Sequence, residues 1–262
     1  MLRAYSSEPA CRWKMTEGST TEDGLLGGGV RLIQQASGYR VAIDPVLLAA
    51  AVPAAAGDHV LDAGAGVAAA ALCLAARVAG ARVSGLESQR SLVRLANENA
   101  GLNGMTDRVT VMEGDLLRPP PRLAPGSFDH VMANPPYLEP ARASIPADPG
   151  KAAANVEGAA GLGAWIAFCL TMVKDKGSVT IIHRADRLDA LLAALHRKSG
   201  EIVVFPLWPM ADGRPAKRVI VRARKGVASP TRLAAGLVLH GADGAYTPAA
   251  EAVLRQGAPL DL

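Results

Sequence analysis

The segment HVLDAGAGVAAAALCLAARVAGARVSGLE, residues 59–87, contains the pattern from which we predict the fold. It begins with a short apolar run, HVLDAG (59–64), which is typical of a buried strand. An alanine- and leucine-rich helical pattern covers 67–79, and a second strand pattern, RVSGLE, covers 82–87. A strand, a helix and a strand in this order indicate a βαβ unit with two parallel strands.

The same alternation continues to the end of the chain. Further strand patterns lie at 109–115, 128–136, 178–184, 202–209 and 217–226. Helical patterns cover 88–103 and 185–200, and Asp212-Gly213 forms a turn between the last two strands. We therefore predict an α/β fold with a doubly wound, mostly parallel seven-stranded sheet that ends in an antiparallel edge strand.

The segment before this alternation predicts a short N-terminal extension made of a hairpin and a helix. Residues 25–56 have the pattern of a short hairpin followed by a helix, with Asp44 as the helix cap and Pro45 in the first turn. Residues 1–21 have neither an apolar signal-peptide core nor a regular period, and we expect them to be a loose extension. Residues 22–262 are expected to form a single domain, with a functional surface loop over 138–158.

Composition excludes several protein classes. Of the 262 residues, 50% are hydrophobic and 20% charged, which favours a globular core over a disordered chain. The three cysteines, Cys11, Cys73 and Cys169, form no CxxC pair, so we expect a cytoplasmic protein without a disulfide framework or a zinc site. We expect no membrane span, and the net charge of +4 allows a nucleic-acid partner.

The first candidate site is the turn DAGAG, Asp62 to Gly66, at the end of the first parallel strand. Glycines here let a ligand approach the backbone, and the following helix offers free N–H groups. Gly64, Gly66 and Ala69 also satisfy the dinucleotide pattern G-x-G-x-x-G/A, with the acidic Glu87 about 20 residues further on. The turn alone therefore leaves a nucleotide site and a plain tight turn as alternatives.

The second candidate site is NPPY, Asn134 to Tyr137, after the strand over 128–136. In a doubly wound sheet its position is beside DAGAG, at the carboxyl edge where ligands bind. Asn134 supplies a side-chain acceptor, Pro135 and Pro136 fix the backbone so that a main-chain carbonyl points outward, and Tyr137 supplies a flat ring. Two acceptors beside an aromatic ring suit a planar amine or amide. The structural alternative is a turn stiffened by proline.

Together these segments resemble the class I S-adenosylmethionine-dependent methyltransferases that act on exocyclic amino or amide nitrogens. Over about residues 22–255 the chain is most similar to the bacterial tRNA (valine) adenine-N6 methyltransferases. The resemblance rests on EDGLLGGGVRLIQQASGYRVAIDPVLLAA (22–50), the middle motifs and GADGAYTPAAEAVL (241–254). It implies S-adenosylmethionine as cofactor, RNA as substrate, and no metal. It assigns no oligomeric state.

The resemblance also implies a role for each motif residue. Asp62, Gly64 and Gly66 would line the methionine end of the cofactor, and Glu87 would bind the ribose hydroxyls. Asp115 would bind the adenine amino group, with Leu116 beside the ring. The positions expected to close the site from the N-terminal side are Tyr39, Arg40 and Asp44. Structural alternatives remain for Glu87, as a solvated helix cap, and for Asp115, as a turn former.

The implied catalytic residues are Asn134, Pro135 and Tyr137. The Asn134 side chain and the Pro135 carbonyl would accept the two N–H bonds of the substrate amine. The ring of Tyr137 would hold the base, so the ring rather than the hydroxyl is expected to matter. His183 is expected to be structural or to lie at the rim, because no general base is required. Basic residues expected to follow RNA phosphates are Arg40, Arg142, Lys151, Arg214, Lys217 and Arg218.

Several functional alternatives stay open. A protein glutamine-N5 methyltransferase uses the same NPPY motif, and a small-molecule O-methyltransferase would not need it. An NAD-dependent oxidoreductase is disfavoured because Asp62 lies just upstream of the glycines and the sequence has no proton-transfer pair near them. A binding module without catalysis is suggested by Ala68, where relatives usually have glycine. A positive φ at Ala68 is expected to crowd the cofactor.

Overall fold

The computed structural model describes residues 19–36, 40–137 and 160–262. Residues 1–18, Tyr39 and the expected surface loop over 138–158 lie outside the described residues. The first described element is an antiparallel hairpin of strands β1 (Thr20–Leu25) and β2 (Val30–Gln35). It begins two residues inside the segment that we expected to be loose.

The central sheet contains, within the described residues, nine strands. Their bounds are β3 His59–Ala63, β4 Arg82–Glu87, β5 Val109–Glu113, β6 Phe128–Ala133, β7 Val173–Arg184, β8 Ser199–Met210, β9 Arg218–Lys225, β10 Arg232–Leu233 and β11 Leu237–His240. The bounds of the helices are α1 Asp44–Ala51, α2 Ala69–Arg77, α3 Arg90–Leu102, α4 Leu162–Met172, α5 Leu188–Leu195 and α6 Pro248–Gln256.

The strand order confirms the doubly wound prediction. The long strands follow the order β5-β4-β3-β6-β7-β9-β8, and all neighbours from β5 to β7 are parallel. One apolar cluster packs α1, α2 and α3 on one face, and a second packs α4 and α5 on the other. Because β3 to β6 run in parallel, the turns that follow them meet at one edge of the sheet.

The far side of the sheet differs from the prediction in two details. The antiparallel strand is β9, and it lies one place in from the expected edge position, because β8 pairs with its outer side. The short strands β10 and β11 then pair in parallel with β8, so two further strands cover the edge. The parallel α/β class is unchanged by either detail.

The N-terminal hairpin is fixed to the sheet by polar contacts with α3. The Asn99 side chain accepts from the Ile33 N–H at 2.7 Å and donates to the Ile33 carbonyl at 2.8 Å. Asn103 makes the same pair of bonds with Arg31, at 2.9 and 2.7 Å. The carboxamides of Asn99 in α3 and of Asn103 directly after it thus act as partners for the backbone of β2, which places the hairpin beside the sheet.

None of the helices in the described part of the chain combines the length and apolarity that a membrane crossing requires.

Candidate active site

A cavity of about 510 Å³ opens at the carboxyl edge of β3, β4, β5 and β6. Its size falls in the range of small-molecule and cofactor sites. Motif residues that line it are Asp62, Gly64, Gly66, Glu87, Asp115, Leu116, Asn134, Pro135, Pro136 and Tyr137. The topology therefore gathers four separate sequence motifs around one space.

The turn after β3 forms the floor of this cavity. The N–H groups of Gly64 and Ala65 both donate to the Leu86 carbonyl, at 2.8 and 3.0 Å, which draws the turn against β4. Gly64 has φ +71°, and a Cβ at this position would lie 2.4 Å from Cη2 of Trp165. A side chain at residue 64 would therefore meet the Trp165 ring, and the glycine keeps the backbone exposed to a ligand.

Glu87 is a buried carboxylate at the end of β4, 7% exposed. Its Oε2 accepts from the Gly66 N–H at 3.0 Å, and its Oε1 accepts from the Gln89 N–H at 2.9 Å. Oε1 also accepts from the Ser88 hydroxyl at 3.4 Å, so both oxygens are fixed and Oε2 retains acceptor capacity. An acceptor-only group with two fixed oxygens is suited to a vicinal diol. The contact with Gln89, the residue before α3, shows that Glu87 also supports the start of that helix.

Asp62 is the most perturbed carboxyl group of the cavity. It is 3% exposed, and its Oδ2 has no hydrogen-bond partner among the described residues. Burial raises the pKa of Asp62 to about 7; the Glu87 charge adds to this rise, and the Ala71 N–H opposes it. A buried acceptor atom without a partner is suited to a donor or cation supplied by a ligand.

Asp115 and Leu116 follow β5 and form a further wall. The Asp115 carboxylate accepts from the Leu117 N–H at 2.9 Å, the geometry of an Asx turn. It also lies 3.8 Å from the Arg118 guanidinium, which is largely exposed. Asp115 therefore both stabilises the turn after β5 and lines the cavity.

The NPPY segment forms the wall opposite Glu87. The Tyr137 hydroxyl lies 2.7 Å from Oδ1 of Asn134 and 2.5 Å from Oδ2 of Asp44. The Arg218 guanidinium lies over the Tyr137 ring, 4.5 Å from its centroid, and its Nε donates to the same Asp44 oxygen at 3.0 Å. Polar contacts therefore connect the ring that borders the cavity to α1 and to β9.

Two of the three residues expected to close the site from the N-terminal side, Arg40 and Asp44, do not lie together at the cavity. Asp44 is the first residue of α1 and does not cap it; its side chain instead bonds Tyr137 and Arg218, a stronger pair of partners than a free helix N–H. Arg40 does not line the cavity, because its guanidinium bonds Asp23 on β1 at 2.8 Å. Tyr39 lies outside the described residues.

His183 lies behind the NPPY segment rather than at the rim. It is 0% exposed and meets the Tyr137 ring edge to face, with 5.4 Å between ring centroids. Burial lowers the pKa of His183 to about 4, against the opposing effect of the Pro136 carbonyl. The imidazole is therefore neutral at physiological pH and contributes to packing.

Ala68 has the positive φ that was expected to crowd a ligand, +68°. Its methyl group, however, is fully buried in the apolar core and is absent from the cavity lining. The expected crowding does not follow, because the side chain points away from the cavity. The cost is local strain of about 1–2 kcal/mol for a left-handed non-glycine residue.

Several residues that line the cavity belong to none of the sequence motifs. Trp165 from α4 and Gln34 from β2 line the cavity although both come from elements distant from the glycine turn. Apolar periodicity marks Trp165 as a helix residue, and nothing in the sequence distinguishes it from other core positions. Arg218 was expected to follow phosphates, and its contact with Asp44 is the part that sequence reasoning missed.

Of the other basic candidates, Arg214 pairs with Asp212 at 2.8 Å on an exposed turn, and Lys217 is exposed beside it. Arg142 and Lys151 lie outside the described residues.

Comparison with known proteins places these features in context. Residues 37–147 match the model of the methyltransferase small domain family. A tRNA1(Val) (adenine(37)-N6)-methyltransferase of Porphyromonas gingivalis is 31% identical over 232 residues, which cover 82% of this chain and 87% of the relative. A release factor glutamine methyltransferase of Chlorobaculum tepidum is 33% identical over 93 residues, or 35% of this chain and 32% of the relative.

The fold has a close counterpart among solved structures. The crystal structure of a predicted O-methyltransferase from Agrobacterium tumefaciens superimposes with a TM-score of 0.69 at 25% sequence identity. The match covers 83% of this chain and 98% of that chain.

Proposed function

The chain belongs to the family of S-adenosylmethionine-dependent methyltransferases that includes the tRNA1(Val) (adenine(37)-N6)-methyltransferases, and from this membership we propose that it methylates N6 of an adenine in tRNA. It is a methyltransferase, and S-adenosylmethionine is its cofactor. The proposal concerns the acceptor and the residues that bind it. It also places the enzyme in the cytoplasm with its tRNA.

The cavity residues fit this cofactor. The Asp62 oxygen without a partner suits the cationic methionine end, and the bare backbone at Gly64 lets that end approach the turn. The two fixed oxygens of Glu87 suit the ribose hydroxyls. Asp115 and Leu116, on the next strand end, would bind the adenine. The bound cofactor supplies an activated methyl group on a sulfonium sulfur.

The observation that carries the proposal is the position of Asn134 and Pro135 in the wall of this same cavity. A carboxamide oxygen and a main-chain carbonyl there would accept the two N–H bonds of a planar amine and orient its nitrogen. Both bonds strengthen as the nitrogen gains positive charge in the transition state, so they would lower the barrier as well as position the substrate.

Tyr137 supplies the surface for the base. Its ring lies beside Asn134, His183 meets it edge to face, and the Arg218 guanidinium lies over one face, so the base would stack on the opposite face. A base in an RNA loop is already partly unstacked, so its transfer onto this ring costs less than extraction from a duplex. Stacking of one base on an aromatic ring contributes about 1–3 kcal/mol.

A glutamine side chain is the second candidate acceptor, because its amide also offers two N–H bonds. The extent of the similarity favours adenine. The tRNA-modifying relative matches over 82% of this chain, whereas the glutamine methyltransferase matches over 35%.

A transfer assay with tritium-labelled S-adenosylmethionine distinguishes the two acceptors. Unmodified tRNA1(Val) transcript, a glutamine-containing release-factor peptide and double-stranded DNA are offered in parallel to the full chain. We expect label in the tRNA alone. Label in the peptide would transfer the proposal to glutamine, and label in none of the three would refute both.

A further inference from the structure

Two acceptors close to the Tyr137 hydroxyl compete for its single proton. Its oxygen lies 2.5 Å from Oδ2 of Asp44 and 2.7 Å from the side chain of Asn134. A phenol can donate one hydrogen bond and accept others, so it cannot donate to both partners at once. Which partner receives the proton decides how the Asn134 carboxamide is oriented.

Asp44 is the stronger competitor for this proton. Its carboxylate can only accept, its side chain is 12% exposed, and it pairs with the Arg218 guanidinium at 3.0 Å. Hydrogen bonds to an ionised acceptor are about twice as strong as those between neutral groups. The hydroxyl therefore donates to Asp44, and its oxygen is left to accept a hydrogen bond from Asn134.

Only the Nδ2 group of Asn134 can donate that bond. Oδ1 is the atom placed nearest the hydroxyl, and half a turn about χ2 exchanges it with Nδ2 without other movement. We infer that Asp44 acts through the Tyr137 hydroxyl to hold the Asn134 carboxamide with Nδ2 toward Tyr137 and Oδ1 toward the substrate amine. The inference rests on the proposed function and adds Asp44 as a positioning residue.

The opposite orientation would disable the site. With Oδ1 bonded to the hydroxyl, Nδ2 would face an amine that itself presents N–H groups, and two donors repel. Replacing Asp44 by asparagine favours this state, because the neutral carboxamide oxygen that still accepts from Arg218 Nε is a weaker acceptor for the phenol proton than the carboxylate. The phenol proton can then go to Oδ1 of Asn134.

Arg218 and His183 keep the Tyr137 hydroxyl beside Asp44. The Arg218 guanidinium covers the Tyr137 ring at 4.5 Å, and the fully buried His183 meets it edge to face. These contacts restrict displacement of the ring, so its hydroxyl stays beside Asp44.

The test is a double-mutant cycle with Tyr137→Phe and Asp44→Asn, measured as tRNA methylation by the full chain. Each single variant is expected to lower kcat about tenfold, the value of one hydrogen bond, and to leave the KM for S-adenosylmethionine within about twofold. The double variant is expected to match the singles rather than multiply them, because both changes break one relay.

Two controls separate this relay from a general loss of structure. Tyr246→Phe removes the hydroxyl from a ring that stacks on His240 and does not line the cavity. Asp129→Asn breaks an ion pair with Lys174 at the start of β6. Both should retain the kcat of the wild type. Since Tyr137→Phe leaves the Asp44–Arg218 pair intact, it tests the relay even if Asp44→Asn fails to fold.

The outcomes distinguish the relay from the proposed function. An inactive Asn134→Ala variant together with a fully active Tyr137→Phe variant would overturn the relay alone. Losses that multiply in the double variant would also overturn it, because the two residues would then act separately. Full turnover by Asn134→Ala would refute the proposed function itself.

Discussion

Replacing Asp62 by asparagine is expected to stabilise the cofactor-free protein as pH rises. The carboxyl group is 3% exposed, and its Oδ2 lacks a partner among the described residues. Its negative charge is therefore unfavourable in the folded chain and well hydrated in the unfolded chain. Asparagine has the same shape and carries no charge at any pH, so it removes this difference.

The magnitude follows from the pKa. Burial raises the pKa of Asp62 from 3.8 to about 7. Between these two values the folded protein binds a proton that the unfolded chain has released, so the free energy of unfolding falls as pH rises through the window. Each pH unit contributes about 1.4 kcal/mol. The interval from pH 5 to pH 8 therefore contributes about 3 kcal/mol, because the carboxyl of the folded protein is half titrated at pH 7 and completes its titration near pH 8.

The assay is urea unfolding of the wild type and of Asp62→Asn at pH 5 and at pH 8. Comparing the same pair at two pH values cancels constant effects, such as the hydrogen bonds of the new amide. The stability of the variant relative to the wild type should increase by about 3 kcal/mol between pH 5 and pH 8. Asp107→Asn, at an exposed loop position, controls for the loss of one negative charge.

A difference between the two proteins that stays constant from pH 5 to pH 8 would refute the reasoning. It would mean that a donor or water satisfies the buried oxygen and that the carboxyl titrates normally. An Asp62 oxygen with such a partner would not be left free for a cationic group of the ligand.

Three further substitutions and the salt dependence of tRNA binding give additional tests. Gly64→Ala should lower the melting temperature more than Gly126→Ala. Both glycines have positive φ, but only at residue 64 would a Cβ lie 2.4 Å from Trp165, so equal effects would contradict the clash. Glu87→Ala should weaken S-adenosylmethionine binding by about 1.5–3 kcal/mol in calorimetry, and unchanged affinity would remove the ribose assignment. Ala68→Gly should relieve about 1 kcal/mol or more of left-handed backbone strain and lose about 0.8 kcal/mol from burial of the methyl group. We therefore expect the free energy of unfolding to change little or to rise. A destabilisation above 1 kcal/mol would show that no strain was present. The tRNA affinity should fall with salt at a slope of about −0.7 per phosphate contacted, whereas a salt-independent affinity would argue against RNA.

The parallel half of the fold follows from sequence because its signals are local. Strand β4 has the predicted bounds, Arg82–Glu87, since an apolar run is delimited by a glycine turn and a helix. The antiparallel half depends on long-range pairing. Strand β7 begins at Val173, five residues before the predicted start, because α4 runs directly into it. Strands β10 and β11, with two and four residues, are too short to show a period.

The candidate site, like the fold, could be predicted from the sequence only in part. Motif residues at strand ends converge because parallel strands end at one edge, so Asp62, Glu87 and Asn134 could be placed together from the sequence. The task of the Tyr137 hydroxyl could not be predicted, because its partner Asp44 is 93 residues away and was expected to cap a helix. Contacts of this kind depend on tertiary packing and leave no periodic signal in the sequence.

The most direct test of the central claim is the identity of the methylated nucleoside. Unmodified tRNA1(Val) transcript is incubated with the full chain and S-adenosylmethionine, digested to nucleosides and analysed by mass spectrometry. We predict N6-methyladenosine with the wild type and a yield reduced about 10²–10³-fold with Asn134→Ala, the loss typical of one preorganised polar group. A different methylated nucleoside, or the same yield from Asn134→Ala, would contradict the claim that the NPPY segment orients an adenine amine.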